Sequence, residues 1–452
     1  MNMSENTLTL GFNRKIIQSL RSWRHSAERK PLVLRGCRQV GKTTVIKKFA
    51  AEFDTFINLN LEIAGDRRLF ENDLGVKELF SMICFEKNIS PKGDVLVFID
   101  EIQNSPNAVA QMRYFFEELP EIFVISAGSL LEIMMDMHKI SFPVGRVEYR
   151  YMFPLTFEEF LEALDENQAL GYFRQTPPPE FAHKRLSELF RLYTFVGGMP
   201  EAVARYKTTK DFVKVAAVYD NLFSAFKDDV TKYAKNPAET NIIRHVIESA
   251  PIETGKRITF EKFGNSGYKS KEIGNALRTL ERAMILYLRY PVTEFALPFV
   301  PDLKLKPHLQ FLDSGLLNHS LGITGFFFKE DSLSDIYKGI LAEQIVAQEL
   351  LALGELKLEK PQFWVREKKQ SNAEVDFVIV KNTDCIPVEV KSGKTGTLRS
   401  LHSYIENSGA ELAVRLYDGN YSVEEAVTPM QKKPYTLVNL PLYLASRVHD
   451  FV

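Results

Sequence analysis

The stretch Gly36–Thr44 reads GCRQVGKTT and directly follows the apolar run PLVL. Its spacing, G-x-x-x-x-G-K-T, is typical of a loop whose successive backbone N–H groups surround phosphate oxygens. Gly36 and Gly41 are expected to permit the tight backbone path, because glycine tolerates positive φ. The sequence therefore predicts a phosphate-binding loop between a buried strand and a helix that aims its positive end at the anion.

Every residue of this loop is a candidate nucleotide contact. Lys42 would reach the β- and γ-phosphates and so act in catalysis, and Thr43 would place its hydroxyl on Mg²⁺. A chance match is the alternative, but the apolar strand before the motif and the helix after it favour phosphate binding. The predicted contacts are Gly36, Cys37, Arg38, Gln39, Val40, Gly41, Lys42, Thr43 and Thr44.

A second candidate site follows the apolar run DVLVFIDEIQ at residues 94–103. Such a run predicts a buried parallel strand with its two acids at the carboxyl end, where open parallel sheets bind their ligands. Asp100 would hold Mg²⁺, directly or through water, and Glu101 would orient and polarise the attacking water. Side chains alternate along a strand, so the two acids are expected to have different tasks. Solvated acids at a strand end are the alternative.

Three further polar residues are weaker candidates. The apolar strand EIFVISAGS at residues 121–129 ends in small polar residues, and Ser126 or Ser129 would hydrogen-bond the γ-phosphate or the attacking water. A small-residue turn into the next helix is the alternative. Arg146 would neutralise charge on the transferring phosphoryl group, in its own chain or from a neighbouring subunit. An ordinary surface arginine explains Arg146 equally well.

These motifs together resemble the bacterial and archaeal AAA-type ATPases that carry a C-terminal domain of unknown function. The resemblance covers most of the chain, and its first two motifs are the specific ones. It implies ATP as the nucleotide, a P-loop AAA-like parallel-sheet core at residues 1–155 and a helical lid at residues 156–235. It is carried by GCRQVGKTT, FIDEIQ, ISAGSLLE, GRVEYRYMFPLTFEEF and FVGGMPEAV.

A helical pattern with a basic face lies in SKEIGNALRTLERAMILYL, residues 270–288. Its apolar residues recur at helical spacing, and ILYLRYPV at its end reads as a strand. With the glycine-rich turn before it, this pattern predicts a winged-helix-like domain at residues 236–300, whose basic face would enter a DNA groove. A protein contact or a solvated surface is the alternative. The apolar face holds Ile273, Leu277, Leu280 and Met284, and the polar face holds Lys269, Lys271, Asn275, Arg278 and Arg282.

Residues 374–393, EVDFVIVKNTDCIPVEVKSG, predict a β-hairpin centred on the KNTD turn. In that register Asp376 faces Glu389, and Glu374 faces Lys391, all on one face of the hairpin. The other face is apolar and would join a core. Opposed acids repel each other, and a divalent cation between them would turn the repulsion into attraction.

This arrangement is similar to the PD-(D/E)XK nuclease core. The resemblance implies a restriction-endonuclease-like α/β domain at residues 301–452, with Mg²⁺ or Mn²⁺ held by Asp376 and Glu389. Glu343, from the predicted helix GILAEQIVAQEL, would be the further metal ligand, and Lys391 would position a water or stabilise the departing charge. The first strand reads EVDF in place of the proline-aspartate of the nuclease group. An inactive domain that binds DNA or protein is therefore the alternative.

Composition excludes several classes of protein. The chain has 452 residues, 45% of them hydrophobic, with a net charge of -1, so about two to four globular domains are expected. The near-neutral charge means that DNA binding would need a local basic patch. The three cysteines are too far apart in sequence for a disulfide framework or a zinc cluster. No signal peptide or bilayer-spanning run is apparent, so a cytoplasmic protein without a membrane partner is expected.

Taken together, the motifs predict an Mg²⁺-dependent ATP hydrolase whose nucleotide state controls a nuclease-like domain acting on DNA. The alternative is a nucleotide-dependent switch or scaffold whose inactive nuclease-like domain binds a protein partner. DNA and a protein partner are thus competing hypotheses, and the oligomeric state does not follow from the residues.

Overall fold

The structure, a computed structural model, describes residues 11–128, 131, 133, 142–143, 145–325, 335–368, 371–393 and 397–452. The chain divides into two compact units. The first contains the residues up to 153 together with 282–284 and 354–358, and the second contains 154–281, 285–353 and 359–452. None of the helices in the described ranges is both long and apolar enough to span a membrane.

The first unit is built on a five-stranded parallel sheet in the order β2-β3-β4-β1-β5. Its strands are β1 Leu32–Arg35, β2 Thr55–Asn60, β3 Val95–Asp100, β4 Phe123–Ala127 and β5 Glu148–Tyr151. Its helices are α1 Ile16–Arg24, α2 Lys42–Phe49, α3 Ala64–Arg68, α4 Val76–Glu86 and α5 Pro106–Glu118. Every residue of β3 is buried, as expected for an apolar run inside a parallel sheet. The predicted α/β core is confirmed.

The strand order determines where the predicted site residues meet. β4 pairs with β1 on one side and with β3 on the other, and all three strands run parallel. The carboxyl ends of β1 and β3 therefore lie at the same edge of the sheet, on either side of β4. That edge receives the phosphate-binding loop, which follows β1, together with Asp100 at the end of β3 and Glu101 just after it.

The second unit begins with helices. Those in the range predicted as a lid are α6 Phe157–Ala163, α7 Asn167–Phe173, α8 His183–Val196, α9 Pro200–Thr209 and α10 Phe212–Tyr233. They are followed by α11 Pro237–Glu253, α12 Ser270–Arg282, the antiparallel strands β6 Leu286–Arg289 and β7 His308–Phe311, α13 Ser314–Ser320 and α14 Asp335–Leu351. Short 3-10 helices occur in the two units at Ala50–Glu52, Leu69–Glu71, Ile102–Asn104, Glu180–Ala182, Phe263–Asn265 and Leu442–Asp450.

A six-stranded mixed sheet completes the second unit, in the order β12-β13-β11-β10-β9-β8. Parallel pairs join β10 to β11 and β11 to β13, and the remaining pairs are antiparallel. Its strands are β8 Gln362–Lys368, β9 Ser371–Lys381, β10 Asp384–Val390, β11 Leu412–Tyr417, β12 Ser422–Val427 and β13 Pro434–Pro441, with α15 at Arg399–Ser408 between β10 and β11.

The predicted apolar face of α12 is buried at Ile273, Leu277 and Leu280. The helix ends at Arg282, so the fourth expected member, Met284, lies beyond it in a left-handed turn with φ 59°. Met284 is nevertheless buried. The helical pattern was therefore read correctly, but the helix ends before the predicted face does.

β9 and β10 form the predicted hairpin, with Val388 opposite Phe377 in the register centred on the KNTD turn. The expected pairing of Glu374 with Lys391 is wrong. β10 ends one residue before Lys391, whose backbone N–H donates instead to the carbonyl of Leu416 on the neighbouring strand at 2.8 Å. The register was predictable because it depends on a local turn, whereas the end of β10 depends on β11.

A buried polar cluster centred on Asp313 holds the helices of the second unit together. Asp313 is fully buried and precedes α13. Its carboxylate accepts hydrogen bonds from the backbone N–H of Gly198 at 2.6 Å, from that of Leu316 at 2.9 Å and from the hydroxyl of Tyr219 at 2.9 Å. One carboxylate thus connects the α8–α9 turn, α10 and α13.

Two neighbouring residues of α14 extend this cluster. Glu349 accepts hydrogen bonds from the backbone N–H of Phe157 at 3.0 Å and from the hydroxyl of Tyr193 at 2.7 Å. Gln348 donates to the same hydroxyl at 3.0 Å and accepts from the N–H of Ser314 at 2.9 Å. Buried side chains of α14 therefore hydrogen-bond to the starts of α6 and α13 and to α8.

We predict that Asp313→Ala lowers the free energy of unfolding of the second unit by about 3 kcal/mol or more, because it leaves several buried donors without an acceptor. Urea denaturation of the full chain in a Trp23→Phe background measures this, since Trp364 is then the remaining tryptophan and lies in the second unit. Asp211→Ala is the matched control. It removes a carboxylate that caps α10 and should cost only about 1 kcal/mol. Equal losses would contradict the assigned role of Asp313.

Candidate functional site

The two glycines of the phosphate-binding loop are needed for different reasons. Gly41 immediately precedes α2 and has φ 100°, which favours glycine. A Cβ on Gly36 would lie 2.5 Å from the carbonyl oxygen of Met152. The positive-φ argument therefore applies to Gly41, whereas Gly36 is required by the close approach of another backbone segment.

Lys42 is buried at the start of α2. Its Nζ donates to the carbonyl of Gly36 at 2.8 Å and to that of Cys37 at 2.9 Å. Burial lowers the pKa of Lys42. An ammonium group withdrawn from water attracts an anion more strongly than an exposed one. The loop thus holds this group over its own backbone, where a phosphate would meet it.

Thr43 and Asp100 are in direct contact, as the predicted Mg²⁺ site requires. Thr43 Oγ1 donates to Asp100 Oδ2 at 2.7 Å. Burial raises the pKa of Asp100, and the hydrogen bond from Thr43 opposes that shift. A hydroxyl and a carboxylate are oxygen donors of the kind that Mg²⁺ prefers. The residues present therefore fit a nucleotide-bound Mg²⁺.

Glu101 leaves the strand that presents Asp100. β3 ends at Asp100, and Glu101 adopts the left-handed conformation with φ 51° and ψ 45°. Its carboxylate accepts a hydrogen bond from the side-chain amide of Gln103. The expected alternation along a strand is thus replaced by a sharp turn, which still separates the two carboxylates.

The weaker candidates are less well placed. Ser126 is fully buried within β4, and its hydroxyl donates to the carbonyl of Leu32 on β1 at 3.4 Å. Its hydroxyl is therefore engaged inside the sheet. Ser129 lies outside the described residues, so its proposed contact with phosphate or water stays a prediction.

Arg146 lies at the edge of the sheet opposite the phosphate-binding loop. It precedes β5, whose first residue Glu148 aligns with Leu32, the first residue of β1, in a parallel pair. The guanidinium of Arg146 forms an ion pair with Glu117 at 2.8 Å. The loop follows the other end of β1. In this conformation the arginine lies away from the loop of its own chain. Its proposed role in charge neutralisation, from its own chain or from a neighbouring subunit, stays a prediction.

Arg14 contacts the phosphate-binding loop and was not predicted. It is buried just before α1, and it donates to the carbonyl of Val40 at 3.1 Å and to that of Phe153 at 2.6 Å. The loop backbone is therefore fixed by a guanidinium from a segment well before it in sequence. A single basic residue ahead of an amphipathic helix gives no sequence signal for such a contact.

The acids of the C-terminal hairpin form a second candidate site. The hairpin register, continued by one pair, sets Asp376 opposite Glu389. Burial, together with the charges of Glu389 and Glu343, raises the pKa of Asp376 well above its ordinary value. Burial also raises the pKa of Glu389, and Glu343 adds to this shift. The structure thus brings the three predicted metal ligands close enough to repel one another.

Each acid of this hairpin pair has one hydrogen-bonded oxygen. Asp376 Oδ2 accepts from the backbone N–H of Val390 at 2.7 Å, and Glu389 Oε1 accepts from Lys391 Nζ at 2.6 Å. Glu389 Oε2 is buried without a hydrogen-bond partner. An unpaired carboxylate oxygen beside a second acid is the arrangement that a divalent cation would stabilise.

Two side chains from the β6–β7 pair, Arg289 and His308, enter the same region, and no sequence pattern indicated either of them. Arg289 pairs with His308 across the two strands. Arg289 donates to the backbone carbonyl of Asp376 at 2.8 Å, and its Nη1 lies 3.8 Å from Glu343. His308 lies 2.7 Å from Glu374 and 3.6 Å from Glu343. Glu343 is therefore already in contact with charged or polar partners from another segment.

No three His, Cys, Asp or Glu side chains among the described residues are grouped closely enough to hold a metal ion. Glu343 lies beside Arg289 and His308 instead. The acids that the hairpin brings together are Asp376 and Glu389, with Lys391 beside the latter. A three-acid metal site here therefore stays a prediction.

The first of these sites lies within a segment that matches a known family. Residues 28–161 match a family described as an AAA domain. The predicted AAA-like core is confirmed over these residues. Residues 187–326 and 338–433 match two families that are each described as a domain of unknown function, DUF8612 and DUF4143. A search of curated proteins found no significant match.

The chain has only distant similarity to solved structures. A Walker-type ATPase of Pyrococcus abyssi has a TM-score of 0.43 at 16% identity, over 69% of this chain and 96% of the other. The RuvB Holliday junction branch migration motor of Thermotoga maritima has a TM-score of 0.27 at 13% identity, over 62% and 90%. The Aeropyrum pernix Orc1 protein, solved in complex with DNA, has a TM-score of 0.28 at 13% identity, over 72% and 94%. Likenesses this distant carry no conclusion about the activity of this chain.

We predict that Arg14→Met weakens the binding of a fluorescent ATP analogue by about tenfold or more. One charge-assisted hydrogen bond contributes about 1.5–3 kcal/mol, and about 1.4 kcal/mol corresponds to a factor of ten. Arg21→Met is the matched control, because Arg21 lies on α1 but points to solvent and pairs with Glu52. Titration of the three proteins measures the effect. Equal affinity of the Arg14 variant and the parent would show that the loop keeps its shape without the guanidinium.

Proposed function

We propose that the AAA-type unit binds and hydrolyses Mg²⁺–ATP, and that its nucleotide state controls a nuclease-like C-terminal domain acting on DNA. The contact between Thr43 and Asp100 is the observation that carries the first part, because it joins the phosphate-binding loop to the acidic end of β3. A phosphate loop alone would support nucleotide binding. The acid beside it supports a metal-assisted reaction.

The proposed reaction assigns one task to each residue. The loop amides and Lys42 would bind the β- and γ-phosphates, and Thr43 and Asp100 would hold Mg²⁺, which would supply positive charge beside the phosphate oxygens. Glu101, which lies next to Asp100 but outside the strand, orients the attacking water and accepts its proton. Arg146 would supply positive charge, from its own chain or from a neighbouring subunit.

We predict that Glu101→Gln retains ATP binding and lowers kcat by about 10²–10⁴-fold, because the amide keeps the shape of the side chain but cannot accept the proton. Lys42→Ala should abolish binding itself, since it removes the charge on the phosphates. Phosphate release and equilibrium binding of an ATP analogue measure the two effects separately. Turnover by Glu101→Gln at the parent rate would exclude Glu101 as the base.

The second part of the proposal concerns the hairpin acids. Asp376 and Glu389 would bind Mg²⁺ or Mn²⁺, with Glu343 as the third ligand once it leaves its present partners, and the cation would polarise a phosphodiester oxygen. Support comes from the unpaired buried oxygen of Glu389 and from the mutual repulsion of the acids. Lys391, hydrogen-bonded to Glu389, would stabilise the departing charge.

The raised pKa of Asp376 predicts how the metal-free protein responds to pH. The folded protein holds a proton on this carboxyl at pH values where the unfolded chain, with its ordinary value of 3.8, has lost it. The native state therefore binds more protons in this window, and its stability falls as pH rises through the folded-state pKa. Asp376→Asn should flatten this fall, because the amide is neutral and can still accept from the Val390 N–H.

Thermal unfolding over a pH series, with and without Mg²⁺ or Mn²⁺, measures this prediction. All variants carry Lys42→Ala. This change removes nucleotide binding, so that the ATP site contributes as little as possible to the response to the cation. In that background the cation should stabilise the parent at neutral pH and leave Asp376→Asn unchanged, since only the folded state offers the site. Asp384→Asn, an exposed change in the same hairpin, is the control. A metal response retained by Asp376→Asn would place the cation elsewhere.

A nucleotide-dependent switch that presents the second unit to a protein partner is the competing proposal. It is favoured by the contacts of Glu343 with Arg289 and His308, which oppose its use as a metal ligand. The basic side chains of α12 serve either proposal, because Lys271 and Arg278 are exposed and suit DNA phosphates or an acidic protein surface. Incubation with Mg²⁺ or Mn²⁺ and DNA or RNA, with and without ATP, separates the two. Cleavage, or ATP turnover stimulated by DNA, supports the first.

A further inference from the structure

A water-polarising carboxylate must be held in one orientation, because small displacements of a reacting group cost much of the rate. Glu101 lies in a turn with left-handed backbone, outside the ladder of the sheet, so backbone pairing does not fix its side chain. The described contact that does so is the hydrogen bond from Gln103 Nε2 to Glu101 Oε2. Gln103 is itself buried, whereas Glu101 is only partly buried.

Gln103 is held from its other side by the end of β4. A Cβ on Gly128, one residue after that strand, would lie 2.0 Å from Gln103 Oε1. The backbone of Gly128 does not have positive φ, so the space it leaves for Gln103 is the reason that a glycine is needed there. Gln103 Oε1 is buried and has no hydrogen-bond partner. The glycine therefore forms a wall against the oxygen end of the amide.

These two contacts determine which end of the amide faces the base. If the amide were rotated by half a turn, its oxygen would point at a carboxylate and the bond would become a repulsion. The observed orientation keeps the donor on Glu101 and leaves the oxygen in a dry pocket beside Gly128. Leaving the buried Gln103 carbonyl oxygen unpaired costs free energy. The same orientation of the amide directs its N–H donor at the Glu101 carboxylate.

We infer that Gln103 is a positioning residue for ATP hydrolysis. It fixes the side chain of Glu101, and its contact with Gly128 makes that orientation depend on the position of the end of β4. This inference rests on the proposed role of Glu101. Because β4 lies between the loop strand β1 and the acid strand β3, a shift at its end on nucleotide binding would move the amide and, with it, the carboxylate. Gln103 contacts neither phosphate nor metal in this proposal.

The first test replaces Gln103 with methionine, which keeps the length of the side chain and removes the donor. We expect kcat to fall by about tenfold or more, since misplacement of a reacting group by about 1 Å can cost 10²-fold. KM and the affinity for an ATP analogue should stay within twofold of the parent. Gln111→Met is the matched control, because Gln111 is a glutamine of the same unit that donates to Leu74 and not to Glu101. Its kcat should not change.

The second test is a double-mutant cycle with Gly128→Ala. Alone, this change should lower kcat, because the new methyl group displaces the amide of Gln103. In a Gln103→Ala background the methyl group meets no amide, and Gly128→Ala should have no further effect on kcat. Two distant, independent sites would instead show additive losses. Thermal stability of each variant is measured alongside, so that a folding defect is seen separately from the change in kcat.

The outcomes distinguish this inference from the proposed function. If Glu101→Gln is inactive but Gln103→Met turns over at the parent rate, Gln103 has no positioning role and the proposed base stands. If Glu101→Gln is active, the proposed role of Glu101 fails, whatever Gln103 does. Additive effects of Gly128→Ala and Gln103→Ala would overturn the link to β4, and a loss of analogue binding in Gln103→Met would make the residue part of the binding site instead.

Discussion

Parallel pairing of β1, β4 and β3 is the constraint on which the nucleotide site depends. It brings the ends of three strands to one edge, although Gly36, Asp100 and Gly128 are far apart in sequence. The local sequence of each loop decides its own conformation, but it cannot bring the loops together. The pairing of the strands does that, because each loop begins where its strand ends. The contact between Thr43 and Asp100 and that between Gln103 and Gly128 are both consequences of the same strand order.

The second unit depends on buried polar groups in place of a continuous sheet. Asp313 belongs to one matched family segment and Glu349 to the next, yet Glu349 binds the start of α6 and Tyr193 of α8. A buried carboxylate is costly unless every donor and acceptor around it is paired, so the partners must fold together. The boundary between the two matched families therefore runs through a cluster of hydrogen-bonded helices.

Features that depend on residues close together in sequence could be predicted, and contacts between distant segments could not. The phosphate-binding loop, the acidic end of β3 and the hairpin register are encoded within about ten to twenty residues, and local turn chemistry decides them. Arg14 and the pair Arg289–His308 contact residues far from them in sequence, and their own segments carry no pattern that indicates this. Gln103 lies within the FIDEIQ motif, but its approach to Gly128 depends on the sheet. Glu374 shows the same limit, because it was paired by hairpin arithmetic but is bound by His308 from a different pair of strands. Sequence reasoning found the candidate site residues and missed side chains that contact them.

Whether the hairpin acids could bind a metal depends on a competition between the metal and positively charged side chains of the chain itself. Burial favours a proton or a counter-ion on Asp376 and Glu389, and the nearest counter-ions are supplied by the chain itself, through Lys391 beside Glu389 and Arg289 beside Glu343. A divalent cation must therefore stabilise the acids by more free energy than these contacts do. Its binding must also offset the free-energy cost of displacing Arg289, a buried side chain whose own pKa is lowered by burial. Arg289 comes from the β6–β7 pair, directly after the helix with the basic face. If the hairpin acids bind a metal as proposed, Glu343 must first leave Arg289, so the proposal depends on the β6–β7 pair as well as on the hairpin itself.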